Sequence, residues 1–207
     1  MKSDKIWVKL LVCANKLTRM SKKTKIVLIG VQGAGKSTQG KLISEELGVP
    51  YLSSGHIFRQ MAKRKTKLGR WLKATLNAGA LVPDDVTIDI VMEYLKKPEY
   101  HRGYILDGFP RTLEQAKAFS EADGEETVVF IDVSDKEALW RISGRNSDRE
   151  DETLKAILNR IKLFHDVTTP VLDFYRNNGR LIKVDGEQSV EAVFADIMEQ
   201  LESETSV

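Results

Sequence analysis

The sequence has few cysteines, no long apolar run and little net charge, and each of these features excludes a class of protein. It contains one cysteine, Cys13, so an internal disulfide is excluded, and we expect a cytoplasmic protein. No uninterrupted apolar run approaches the roughly 20 residues of a membrane helix, so we expect no membrane partner. The formal net charge is only +2, and basic residues do not alternate with aromatic ones, so we expect no nucleic-acid partner. An anionic ligand must therefore be met by a local group of basic side chains.

The composition that remains is that of an ordinary globular protein. The 207 residues are 42% hydrophobic and 30% charged, which suits one well-buried core. We expect a single domain over residues 21–207. Residues 1–20 are predicted to be an extension outside the fold, because Met20 lies directly before the first apolar run and resembles a second, natural start.

Five short apolar runs, separated by helical patterns, predict five buried strands. In chain order they are KIVLIG, VPYLS, GYILDG, TVVFIDV and RLIKVDG. Strands that alternate with helices predict an α/β fold, with a five-stranded, mainly parallel sheet flanked by helices. Ligands of such sheets bind at the carboxyl ends of the strands.

Two stretches of helical pattern stand out from this alternation. Between the second and third strands, about fifty residues are helical in pattern, more than one crossover needs, which predicts a helical insertion over about residues 53–82. After it, Pro83 can open a helix that runs to about Lys96. A longer helical stretch over residues 151–177 is predicted to bend at Pro170.

Residues 30–37, GVQGAGKS, match the phosphate-binding loop pattern, in which two spaced glycines are followed by a lysine and a hydroxyl. The loop follows a predicted strand and opens a helix, so its N–H groups would converge on an anion. Lys36 would neutralise phosphate oxygens, and the Ser37 hydroxyl can ligate Mg²⁺. The alternative is a glycine-rich turn that only tightens the packing of strand on helix.

The segment GYILDGFPRTLEQ places two further charged residues at a strand end. Asp107 ends the predicted strand, where a carboxylate can hold a magnesium-bound water. Phe109 and Pro110 then turn the chain, so that Arg111 points back over the edge of the sheet. The alternatives are a strand-end cap for Asp107 and a surface position for Arg111.

From about Lys25 onward, the sequence resembles the nucleoside monophosphate kinases, and among them most closely the adenylate kinases with a short lid. The resemblance rests on motifs in the family's order and spacing: GVQGAGKSTQ, LSSGHIFR, GALVPDD, DGFPRTLEQA, RISGR, DREDET and TTPVLDFY. It implies a P-loop kinase in which the insertion at about 53–82 binds the monophosphate and a very short lid spans about 144–150. The implied reaction is the reversible, Mg²⁺-dependent conversion of ATP and AMP into two ADP by a monomer, with no zinc.

The resemblance also implies which residues bind ATP and magnesium. Arg141 and Gln188 would contact the ATP adenine, and Arg145 would reach the ATP phosphates. Mg²⁺ would be held by Ser37, and by Asp107 through water. The loop residues that would hold the ATP phosphates are Gly33, Ala34, Gly35, Lys36, Ser37 and Thr38.

A second set of residues is implied for AMP, with Arg59 on its phosphate and the Gln115 amide reading the edge of its adenine. The full set is Ser54, Gly55, Arg59, Val82, Gly108, Arg111, Gln115, Arg149 and Arg160. Phosphoryl transfer passes through a loose transition state with negative charge on several oxygens, so positioned cations supply most of the catalysis and no general base is required. The implied catalytic residues are Lys36, Arg111, Arg145, Arg149 and Arg160.

The chain departs from the family pattern at several positions. Gln32 replaces a customary proline, Ser37 a glycine and His56 an aspartate, while Asp151 and Glu152 stand where paired aspartates are usual.

The lid is a further point of interest, because only residues 146–148 separate its two predicted arginines. So short a lid closes less completely over ATP, so we expect some ATP hydrolysis without an acceptor.

Two other functions remain open at this point. A UMP/CMP kinase would share the fold, although such relatives tend to have alanine at position 54 and asparagine at position 112, where this chain has Ser54 and Thr112. A nucleotide-binding sensor without turnover would be expected to lack Lys36 or several of the arginines, and all of them are present.

Overall fold

A computed structural model describes residues 24–144 and 151–205 of the chain. Its centre is a sheet of five strands: β1 (Thr24–Ile29), β2 (Tyr51–Ser53), β3 (Gly103–Asp107), β4 (Thr127–Asp132) and β5 (Leu181–Asp185). The strand order is β2-β3-β1-β4-β5, and every pair within these described residues is parallel. The predicted α/β fold with five strands is therefore confirmed.

Helices cover the sheet and fill the connections between its strands. Six of the described helices begin after a Ser or Thr whose hydroxyl accepts a hydrogen bond from a backbone N–H of the first turn, which satisfies a donor that the helix leaves unpaired. The helices described are α1 (Lys36–Leu47), α2 (Ser54–Ala62), α3 (Lys67–Asn77), α4 (Asp84–Leu95), α5 (Leu113–Asp123), α6 (Asp135–Ser143), α7 (Leu154–Leu163), α8 (Thr169–Asn177) and α9 (Val190–Thr205).

The core lies on both faces of the sheet, because successive side chains of a strand point to opposite faces. Ile26 and Leu28 of β1 pack in one cluster, with residues of α1 and α9. Val27 and Ile29 pack in the other cluster, with residues of α5 and α8. Burial of each such side chain contributes about 1.5–3 kcal/mol, so both layers of helices are held firmly on the sheet.

The strand register brings the ends of three strands to one level. Leu28 of β1 pairs with Asp107 of β3, and Asp107 pairs in turn with Ser53 of β2. Because parallel strands share their carboxyl edge, the loop after β1, the start of α2 and Asp107 meet there.

The helices α2 and α3 lie between β2 and β3, where the sequence predicts an insertion. Phe58, Leu72 and Val82 form a small apolar cluster of their own. The predicted helix after Pro83 is also present, as α4 from Asp84 to Leu95. The role of this region as a monophosphate-binding unit stays a prediction.

The long C-terminal helical stretch is interrupted earlier than its proline predicts. Residues Phe164–Thr168 form a π-helical turn, and the Thr169 N–H donates to the Phe164 carbonyl, five residues back. Pro170 falls in the first turn of α8, where its missing N–H costs nothing. The change of hydrogen-bond register ends α7 and lets a new helix begin.

No helix in the part of the chain that the structure describes is both long enough and apolar enough to cross a membrane.

Candidate active site

A cleft with a cavity volume of ≈ 770 Å³ opens at the carboxyl edge of the sheet. Its wall includes the loop after β1, the helix α2, the end of β3 and the π-helical turn. The predicted site residues that line it are Gly33, Gly35, Lys36, Ser37, Gly55, Arg59, Val82, Asp107, Gly108, Arg111, Gln115 and Arg160. The structure thus brings together residues from across the predicted site.

The loop after β1 has a backbone that only glycine suits at two positions. Gly33 and Gly35 have φ values of 99° and 94°, in the left-handed region. A side chain at Gly33 would also place its Cβ 2.5 Å from the Ala138 carbonyl oxygen. Gly35 then caps α1 without a side chain, so the first N–H groups of that helix are not covered by one. The loop can therefore receive an anion on its backbone donors.

Lys36 lies over this loop. Its Nζ donates to the carbonyl oxygens of Gly30 at 2.7 Å and Val31 at 2.8 Å. Both acceptors belong to the loop itself, so the ammonium group is held against the loop. A phosphate bound in the loop would find a fixed positive charge beside it.

Asp107 is buried, with 8% of its surface exposed, and its carboxylate is oriented by a tyrosine. The hydroxyl of Tyr51 donates to Asp107 Oδ2 at 2.6 Å. The Tyr51 ring packs against Gly40 of α1 so closely that a Cβ at that glycine would lie 2.5 Å from it. Tyr51 therefore joins the helix after the phosphate loop to the carboxylate at the end of β3.

Tyr51 was missed by the sequence reasoning. The available signal was its place in β2 two residues before Ser53, on the same face of the strand, beside the strand that ends in Asp107.

The turn after β3 is tied to α2 and to Arg111. Ser54 Oγ donates to the Gly108 carbonyl oxygen at 2.7 Å, and Arg111 Nε donates to the same oxygen at 2.8 Å. Gly108 has a φ of 81°, and a Cβ there would lie 2.8 Å from Ser54 Oγ. From the other side, Thr168 Oγ1 donates to the Arg111 carbonyl at 2.9 Å. The backbone of Arg111 is thus fixed at the floor of the cleft.

Gln115 is almost fully buried, with 1% exposed, and both ends of its amide contact the protein. Its Oε1 accepts from the Arg111 N–H at 2.8 Å, and its Nε2 donates to Asp84 Oδ1 at 2.7 Å. In this structure the amide joins the β3–α5 turn to the start of α4. Reading of a base edge by Gln115 stays a prediction.

Three arginines from separate elements converge on the cleft. Burial lowers the pKa of Arg111, and the positive charges of Arg160 and Arg59 lower it further, whereas the Asp107 carboxylate raises it. The Asp107 carboxylate therefore offsets part of the positive charge that the neighbouring guanidinium groups add at Arg111. Three guanidinium groups supply paired donors for the oxygens of an anionic ligand such as phosphate.

Arg160 is held by groups from three parts of the chain. Its Nη2 donates to Asp151 Oδ2 at 2.6 Å and to the Leu76 carbonyl oxygen at 2.8 Å. Its Nη1 donates to Gln32 Oε1 at 3.2 Å. Asp151 also lies 4.0 Å from Arg59. The buried carboxylate therefore offsets part of the positive charge of this cluster.

Comparison with known proteins accounts for this arrangement. The family model described as adenylate kinase matches residues 28–180. The chain is 43% identical over 176 residues to an adenylate kinase of Mycolicibacterium paratuberculosis, with 83% of this chain and 95% of that protein covered. It is 36% identical over 205 residues to an adenylate kinase of Methanocella arvoryzae, with the same two shares covered. The chain belongs to the adenylate kinase family.

Further predicted site residues of this adenylate kinase family member lie elsewhere. Arg141 and Gln188 do not line the cleft. Arg141 Nε donates to Glu137 at 2.7 Å, and Gln188 Nε2 donates to Asp196 at 2.7 Å. Arg145, Arg149 and nearly all of the predicted lid over 144–150 lie outside the described residues.

A side-chain hydrogen bond joins the two loops near Arg141 and Gln188. The Ser134 N–H, at the start of α6, donates to Glu187 Oε1 at 2.9 Å, and hydrogen bonding from Ser134 lowers the pKa of Glu187. The helix that carries Arg141 and the loop that carries Gln188 are therefore connected, although the two side chains themselves are bonded to other residues.

The other predicted site residues surround the cleft without lining it. Ser54 is buried behind Gly108, Ala34 is buried in the loop, and Thr38 is exposed on α1.

The residues at the cleft fit a magnesium ion bound jointly with phosphates. The described residues contain no group of three His, Cys, Asp or Glu side chains that could hold a metal alone. The oriented Asp107 carboxylate and the Ser37 hydroxyl both line the cleft, and oxygen ligands are those that Mg²⁺ prefers. Mg²⁺ usually takes one or two protein ligands and completes its shell with water and substrate phosphates.

Proposed function

We propose that this member of the adenylate kinase family transfers the terminal phosphoryl group of ATP to AMP, giving two molecules of ADP. The observation that carries the proposal is the convergence of Arg59, Arg111 and Arg160 on a cleft that is also lined by the Lys36 loop. The triphosphate of ATP and the phosphate of AMP need two positively charged subsites, and the Lys36 loop and the arginines offer one each.

The loop and the arginines divide the work of binding. The loop amides and Lys36 hold the phosphates of ATP, with the helix dipole of α1 adding a partial positive charge. Arg59 and Arg111 hold the phosphate of AMP, since planar guanidinium groups bind phosphate oxygens in pairs. Arg160 lies near both subsites, because it donates a hydrogen bond to Gln32 of the loop and its charge lowers the pKa of Arg111. In this proposal Arg160 stabilises the oxygens of the phosphoryl group that is transferred.

Catalysis on this account is positioning together with charge stabilisation. The acceptor is a phosphate oxygen of AMP that is already largely ionised near neutral pH, so no side chain has to remove a proton. The transition state spreads negative charge over several oxygens, which fixed cations stabilise without reorganising. Mg²⁺ supplies further neutralisation of the ATP phosphates when it is bound at Asp107 and Ser37.

The proposal includes closure of the cleft. AMP is expected to draw the segment from about residue 53 to residue 82 inward, and ATP to draw in the lid arginines Arg145 and Arg149. Water is then excluded only when both sites are filled. A monomeric, cytoplasmic enzyme without nucleic-acid or membrane partners is part of the same proposal, as the sequence predicts.

The test is ADP formation from ATP and AMP by the purified protein and by its Lys36→Ala variant. Removal of the loop cation is expected to abolish most of the turnover while leaving the thermal midpoint close to that of the wild type. Lys117→Ala, which removes an exposed lysine of α5, is the matched control. Normal rates in Lys36→Ala would contradict the assignment of the loop.

A further inference from the structure

The phosphate loop carries a side chain that connects it to a distant part of the chain. Gln32 lies between the glycines of the loop and lines the cleft. Its Oε1 accepts from Arg160 Nη1 at 3.2 Å, and its Nε2 donates to Glu152 Oε1 at 3.1 Å. The partners are separated from it by 128 and 120 residues along the sequence. One amide therefore joins the loop both to α7 and to the segment before it.

The contacts of Arg160 show what Gln32 adds. Asp151 and the Leu76 carbonyl both bind the same terminal nitrogen, Nη2. They tie the guanidinium to its own segment and to the end of α3, but not to the phosphate loop. The bond from Nη1 to Gln32 links this cation to the loop that would receive phosphates. Among the described residues, no other hydrogen bond of Arg160 reaches that loop.

An amide is suited to this position by its two different ends. It accepts from a cation with its oxygen and donates to a carboxylate with its nitrogen, and it carries no charge of its own. A carboxylate at position 32 would face Glu152 and repel it. An apolar side chain of the same length would leave both partners without this contact.

We propose that Gln32 is a positioning residue, which sets Arg160 against the phosphate loop and anchors the Glu152 segment to the same point. This inference rests on the proposed function, in which Arg160 stabilises the phosphoryl group in transit. Gln32 acts through Arg160, so its loss should affect the transition state more than the binding of either nucleotide. The turnover number should then fall while the Michaelis constants change little.

The experiment compares the wild type with Gln32→Leu, Gln32→Glu, Glu152→Gln and the double variant Gln32→Glu/Glu152→Gln. The double variant exchanges the donor and the acceptor between the two positions and keeps the total charge. It can therefore form both hydrogen bonds again. The carboxylate at position 32 would accept from Arg160 and also from the amide at position 152, so only the bond between positions 32 and 152 has its direction reversed. The four proteins at positions 32 and 152 make a double-mutant cycle.

Gln32→Leu is expected to lower kcat about ten-fold, the effect of one lost hydrogen bond to a charged group, with both KM values within about three-fold of wild type. Gln32→Glu should lower kcat as well, and the double variant should recover most of the loss. A second readout is the affinity for a bisubstrate analogue, two adenosines joined through five phosphates. In Gln32→Leu that affinity should fall about ten-fold, while the affinity for ATP alone is unchanged.

Several results would overturn the inference. One is a Gln32→Leu protein with wild-type kcat and wild-type affinity for the bisubstrate analogue. Another is a loss confined to thermal stability, which would make Gln32 a structural residue only. If Gln32→Leu does not fold, failure of the double variant to exceed Gln32→Glu decides against the proposal. A wild type that forms no ADP from ATP and AMP would instead contradict the proposed function itself.

Discussion

Replacing Arg111 by alanine should strongly lower kcat/KM for AMP and leave the binding of ATP nearly unchanged. Arg111 Nε is already bonded to the Gly108 carbonyl at 2.8 Å, and the described residues supply no hydrogen bond to the two terminal nitrogens. Those nitrogens are the ones that a phosphate can engage as a pair. The backbone of Arg111 is held independently by Gln115 and Thr168, so the turn should survive the loss of the side chain.

The size of the effect follows from the two hydrogen bonds that would be lost. Each hydrogen bond to a charged group contributes about 1.5–3 kcal/mol, so the pair contributes about 3–6 kcal/mol. At about 1.4 kcal/mol for each factor of ten, kcat/KM for AMP should fall by a factor of about 10² to 10⁴. Arg111→Lys should recover only a part, because a single ammonium group cannot replace the paired donors.

The assay measures kcat/KM for AMP at saturating ATP and, separately, the dissociation constant for ATP in the absence of AMP. Arg176→Ala removes an exposed arginine of α8 and serves as the matched control. The reasoning would be refuted by a loss of less than about ten-fold, or by equal damage to ATP and AMP.

Two further predictions concern a buried group of side chains at the opposite edge of the sheet. Arg180 pairs with the fully buried Glu126 at 3.2 Å. Arg180→Met should therefore lower the free energy of unfolding by about 3–5 kcal/mol, or the thermal midpoint by roughly 6–20 °C. The double variant with Glu126→Gln should recover much of this stability, and a loss below about 1 kcal/mol in Arg180→Met would contradict the prediction. Burial and the charge of Glu126 raise the pKa of Tyr175. The stability that the protonated Tyr175 contributes is therefore fully present below about pH 10, and it falls above that pH by up to about 1.4 kcal/mol per pH unit. Tyr175→Phe should remove this part of the pH dependence of the free energy of unfolding, and an unchanged dependence would contradict the prediction.

Much of the fold could be predicted because its signals are local. Each strand is a short apolar run, and the glycine loop between β1 and α1 has a composition that few other structures need. Hydroxyl side chains at Ser53, Thr66 and Thr112 cap the starts of three helices, which is a local signal as well. The family resemblance then supplied most of the residues predicted to bind nucleotides, whereas the phosphate loop follows from its own local pattern.

The contacts that orient the site could not be predicted, because they join distant parts of the chain. The Tyr51 hydroxyl reaches Asp107 across 56 residues, and Gln32 reaches Arg160 across 128. Gln32 was recognised as a departure from the family pattern, but its partners depend on how α7 packs. The π-helical turn was missed for a related reason, since the switch in hydrogen-bond register leaves no periodic signal beyond Pro170.

Acceptor preference tests the central claim most directly. The measurement is a coupled assay of ADP formation with Mg-ATP against AMP, CMP, UMP, dTMP and no acceptor. The account predicts a strong preference for AMP, which is the acceptor that Ser54, Thr112 and Gln115 favour in the sequence, and a slower hydrolysis of ATP alone. Preference for CMP or UMP would contradict the assignment of these residues to adenine. The absence of ADP with every acceptor would contradict the proposed phosphoryl transfer.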